Sequence, residues 1–127
     1  MPSLSNAKLS ITLGSGSQNA DVTATVTVSL TEFDKALVKF GLKFKLKCKL
    51  RGADSGFNGS DDDLFQFPTK TVTAPGTFTF KATVSRDTLD EDWEGNDEIY
   101  ARFTLQSAEA ILPFVTVKDS PEISGNF

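Results

Sequence analysis

The chain has no histidine. The commonest general base and the commonest transition-metal ligand are therefore missing, which excludes a Ser-His-Asp triad, a Cys-His dyad and a His-ligated zinc site. Cysteine is scarce too. Cys48 stands alone, so no internal disulfide can form, and its phase with Phe44, Leu46 and Leu50 predicts a buried thiol rather than a nucleophile. No apolar run reaches the length of a membrane-spanning helix. The opening "MPSLSNAKLSITLG" lacks the basic and apolar regions of a secretory signal, which predicts a cytoplasmic protein or a mature or assembled form. Paired carboxylates could in principle hydrolyse a glycosidic bond. Nothing in so short a chain suggests a deep cleft, however, so the expectation is that it is not an enzyme.

What is present is period-two alternation. The chain's 127 residues suit one domain with one core. "AKLSITL" places Leu9, Ile11 and Leu13 on one face, and "DVTATVTVSL" opposes Val22, Ala24, Val26, Val28 and Leu30 to a row of threonines. "VKFGLKFKLKCKLR" alternates Phe40, Leu42, Phe44, Leu46, Cys48 and Leu50 against Lys43, Lys45, Lys47 and Lys49, which predicts a central third strand. A fourth strand around "LFQF", reaching towards Val72, meets Pro68, a residue confined to edges and bulges. "TFTFKATVS", "EIYARFTLQ" and "AILPFVTVK" complete about seven strands of an all-β, two-sheet antiparallel sandwich spanning residues 1–127, with 119–127 a polar tail. Residues 31–40 read two ways. Thr31 could cap a turn or two of helix, with Phe33, Leu37 and Phe40 near helical spacing, or the segment could run on into the third strand.

Strand number, strand length and turn spacing resemble the immunoglobulin-like and fibronectin-type sandwiches over nearly the whole chain. The cysteine pair around a core tryptophan that marks true immunoglobulin domains is missing. The resemblance implies a fold that hosts adhesion, accessory and structural roles, and names none of them.

If each strand crosses the sandwich, alternate connections share an end. Segments 14–20, 52–63 and 87–97 then meet at one rim and bring eleven of the seventeen acids there, counting Glu98 just beyond. Clustered carboxylates raise one another's pKa unless a cation sits among them. Ca²⁺ accepts the irregular oxygen ligation that loops provide. "DEDWEGNDE" begins like an EF-hand loop, but its twelfth place is Ala101 and a strand follows, which excludes that motif. "DSGFNGSDDDLF" and "DEDWEGNDEIY" resemble the calcium loops of C2 domains. Carried over by position, the resemblance implies Asp54 and Asp61 as a first pair of ligands and Asp90, Asp92 and Glu98 as a second group. The chain departs from that pattern at Asp62-Asp63 and at Tyr100-Ala101. The competing reading is a set of solvated loops, partly neutralised by Arg51, Arg86 or Arg102.

Lys43, Lys45, Lys47 and Lys49 repeat at roughly 7 Å, a row that could meet phosphates or an acidic partner, or could be a solvated strand face paired with Glu98 or Glu32. Trp93 is a candidate contact anchor or a lid over the core. "NGS" at Asn58 matches a glycosylation acceptor, a pattern frequent by chance. The net charge of −4 and inward-facing aromatics disfavour nucleic acid. The expectation is a non-catalytic binding module that takes Ca²⁺ and meets a protein partner or its own copies, with anionic lipid or glycan as other classes. The alternative is a structural or accessory subunit without a metal.

Overall fold

The structure, a computed structural model, describes residues 2–13, 19–52, 62–85, 97–108 and 115–125. Strands β1 (Ser3–Leu13), β2 (Asn19–Ser29) and β6 (Gly76–Ser85) form the smaller sheet in the order β1-β2-β6. The larger sheet runs β4 (Asp62–Gln66), β3 (Phe44–Gly52), β7 (Asp97–Ser107), β8 (Val115–Asp119). Two short strands extend it, with β5 (Lys70–Val72) on β3 and β9 (Ile123–Gly125) on β7. All pairings are antiparallel. The result is an all-β sandwich with a short helix, α1 (Glu32–Lys39), linking the two sheets.

Alternation explains the layers. Val22, Ala24, Val26 and Val28 are buried from β2, and Phe44, Leu46, Cys48 and Leu50 from β3, while the residues between them face outward. Burying a large aliphatic side chain contributes about 1.5–3 kcal/mol, enough to fix strand register. A chain of rings then joins the sheets. Phe65 meets Phe67 edge-on at 5.1 Å, Phe67 meets Phe80 at 5.7 Å, and Phe80 meets Phe103 at 6.1 Å.

Three local features depart from simple alternation. Strand β1 begins four residues earlier than the repeat in "AKLSITL" suggests, because a bulge at Asn6 and Ala7 lets Leu4 and Leu9, of opposite parity, face the same core. The predicted fourth strand is split at Pro68 into β4 and β5, both on β3. Residues 119–127, read as a polar tail, hold β9 and the buried Ser120, whose Oγ accepts from Ala101 N–H at 2.9 Å.

The reading of 38–43 as the start of the third strand is corrected. Residues 32–39 are helical and β3 starts at Phe44. Thr31 Oγ1 accepts from Asp34 N–H at 3.1 Å, and Thr31 N–H donates to Asp34 Oδ2 at 2.9 Å, a reciprocal capping box. At the other end Gly41 takes φ 101°. Its N–H reaches Val38 O at 3.0 Å, and Leu42 N–H reaches Leu37 O at 3.1 Å, the paired bonds of a Schellman ending. Phe40 is thereby turned to solvent at 90% exposure instead of joining the core with Phe44.

Candidate functional site

The outer face of the larger sheet carries a row of cations. Lys45, Lys47, Lys49 and Arg51 stand in one row on β3, and register places Gln106, Thr104, Arg102 and Tyr100 beside them on β7. Across β3, Gln66 lies opposite Lys49 and Asp63 opposite Arg51. A shallow depression of about 250 Å³ opens among Lys47, Lys49, Gln66, Arg102 and Thr104.

The Lys49–Arg51 end of this row is neutralised. Lys49 Nζ donates to Asp63 Oδ2 at 3.2 Å, and Arg51 Nε approaches Asp63 Oδ1 at 2.8 Å as a charge contact without hydrogen-bond alignment. Desolvation pushes the Asp63 carboxyl up, but the bond to Lys49 and the charges of Lys49 and Arg51 outweigh it and hold the group below its ordinary value. Arg102 holds Asp119 through two bonds, at 2.9 and 3.1 Å, a planar fork that fixes β8 to β7. Arg102 also lies 5.7 Å from the centre of the Tyr100 ring. Towards the other end of the row, Lys45 and Lys47 have no ion pair among the described residues. Such a face suits an anionic partner, because a carboxylate entering the depression meets Lys47 together with the amide and hydroxyl of Gln66 and Thr104.

The lysine row is therefore a real surface. Lys43 and Lys45 are exposed, and Lys47 and Lys49 are half-buried by their neighbours. Of the partners considered from sequence, Glu32 pairs with Lys35 at 3.3 Å within α1 instead of with the row, and the side chain of Glu98 lies outside the described residues; Lys49 pairs with Asp63. Arg51 does neutralise one acid of the group, and Arg102 holds Asp119 outside it. Cys48 lies beneath the row, buried, and desolvation pushes its thiol up to about 12, so it is inert at neutral pH.

Asp54, Asp61, Asp90, Asp92 and Trp93 lie outside the described residues, as do Asn58, Arg86 and the side chain of Glu98. Their flanking strands are described. Gly52 pairs with both Asp62 and Ile99, and Ser85 pairs with Asn19, so the strands bordering 14–18, 53–61 and 86–96 end on the side of the sandwich away from α1. Among the described residues no three or more Cys, Asp or Glu side chains form a group able to hold a metal. No described helix is long and apolar enough to cross a membrane.

Sequence reasoning missed Gln66, Thr104 and Arg102 as neighbours of the lysines. Only strand order puts them there. The chain matches no protein-family model, no curated protein and no solved structure.

Proposed function

We propose that this protein is a non-catalytic β-sandwich binding module whose outer β3 face contacts an acidic protein segment. One observation carries the reading: Lys47, without an ion pair among the described residues, lines a polar depression, and Lys45, likewise without one, stands next to it in the same row. Their spacing of roughly 7 Å matches alternate side chains of an extended peptide, so a strand with carboxylates at every second residue would meet the row in register. Titration calorimetry with poly-L-glutamate at low salt tests this. Binding should weaken several-fold in Lys45→Gln, Lys47→Gln and fall steeply with added salt. Equal binding by wild type and variant would overturn it.

The Ca²⁺ reading stands beside it, with Asp54, Asp61, Asp90, Asp92 and Glu98 as ligands and Trp93 as a contact next to them. Its support is the density of carboxylates in 53–61 and 86–98 and the common side from which their bordering strands leave. Ca²⁺ at a thousand times its Kd would stabilise the native state by about 4 kcal/mol. The melting temperature should therefore rise with Ca²⁺, fall back with chelator, and not respond in Asp90→Asn, Asp92→Asn. An equal rise with NaCl alone would count against a site.

A structural or accessory role is favoured by one feature. Among the described residues strand β6 pairs with β2 alone, and β8 bears Val115 and Val117 at 62% and 50% exposure. Free strand edges invite pairing between copies. Light scattering across a salt series separates the two roles, since a strict monomer at every concentration removes self-assembly. The order β1-β2-β6 against β4-β3-β7-β8 supports a fibronectin-type arrangement of the sandwich.

A further inference from the structure

Helix α1 closes the end of the sandwich opposite Gly52 and Ser85, leading from Ser29 of the smaller sheet to Phe44 of the larger. Its inner side is taken up by Asp34, Leu37 and Val38. Phe33 and Phe40 are left out at 69% and 90% exposure. Seven residues apart, they lie on one helical face with Ala36 between them, also exposed. At the same end the exposed Ala74 and Pro75 lead into β6. Two uncovered phenylalanines on one helical face are unusual for a folded surface and mark an interaction site.

The charges around the pair are cationic. Lys35 and Lys39 lie further round α1, and Lys43 follows its end. Glu32 is engaged by Lys35 at 3.3 Å, and Asp34 is buried in the capping box. Lys39 and Lys43 have no ion pair among the described residues. The Schellman ending fixes Phe40 outward, so little ordering remains to be done on binding.

The geometry points to α1 as an interfacial anchor that docks on an anionic lipid bilayer. Phe33 and Phe40 enter the boundary between headgroups and acyl chains, and Lys35, Lys39 and Lys43 meet the headgroups. Two considerations favour a bilayer over other occupants. The two rings stand exposed at the end of the sandwich, and a bilayer requires no complementary groove. A second copy docking by a two-fold axis would bring like-charged lysines together. This surface meets the lysine row only at Lys43, which none of its variants changes, and its test does not depend on the acidic-partner reading.

Co-sedimentation with phosphatidylcholine vesicles, with and without about 30% phosphatidylserine, decides the matter. The wild type should sediment with the anionic vesicles and release as salt rises. Phe33→Ser, Phe40→Ser should lose about tenfold or more in partitioning, because its buried apolar area is gone. Lys35→Gln, Lys39→Gln should lose several-fold on anionic vesicles only. Both variants change exposed residues, so their melting temperatures should stay near wild type, and both should keep poly-L-glutamate binding. Absence of sedimentation with anionic vesicles would overturn the proposal. So would equal partitioning of the serine variant, or wild-type dimers in light scattering that the serine variant abolishes, which would assign the face to a second copy.

Discussion

Asp63 shows how one residue can serve both sheet and surface. It neutralises Lys49 and Arg51 across the β3–β4 pair, and its lowered pKa makes that contribution pH-dependent. A carboxyl whose folded pKa is depressed stabilises fully above its ordinary value of 3.8, and the contribution is lost as pH falls through the lowered folded value. Asp63→Asn should therefore melt lower than wild type at pH 7, by little because Asp63 itself is more than half exposed, and the gap should close in strong acid. Thermal melts across pH check this, and a gap that widens in acid would contradict it. Cys48 behaves in the opposite sense. Its raised pKa means stability is intact below 9.0 and declines as pH rises towards about 12. A thiol reagent at neutral pH should label it only at the rate of opening of the fold, and Cys48→Ala should soften the alkaline decline in melting temperature.

At the scale of elements, α1 and the β3–β7 pair carry opposite kinds of stability. The helix is short, and its existence depends on its ends. Thr31→Ala removes the acceptor for Asp34 N–H and should cost about 1 kcal/mol in denaturant unfolding. Gly41→Ala meets no atom within 4 Å, so its cost is backbone strain alone, on the order of 1 kcal/mol. Strand β7 depends on packing instead. Phe103 is fully buried and touches the ring chain through Phe80, so Phe103→Ala should cost about 3–5 kcal/mol. The helix ends were readable in "TEFD" and in the glycine after "LVKF". The lysine alternation that follows nonetheless extends backward in phase to Phe40, and period alone could not say where the strand began.

At the scale of the whole molecule, four lysines without an ion pair among the described residues, Lys39, Lys43, Lys45 and Lys47, run from α1 onto the β3 face, and such a concentration of one sign makes association depend on ionic strength. If the face and helix readings both hold, salt should weaken poly-L-glutamate and anionic-vesicle binding together, while only the vesicle binding should depend on Phe33 and Phe40. The two surfaces are thus separable by substitution.

The sequence by itself determined the long strands β2, β3, β6 and β7, their buried faces and the class of fold, because a two-residue period with apolar members admits burial on one side only. The threonine face of β2 and the lysine face of β3 were legible for the same reason. Tertiary structure decided what periodicity does not encode. Strand order set Arg102, Gln66 and Thr104 beside the lysines. The bulge at Asn6 and the split at Pro68 changed parity where a regular repeat would have predicted continuity. Phe40 reads in sequence as one more core residue, yet a glycine with positive φ turns the chain just after it and leaves its ring in solvent.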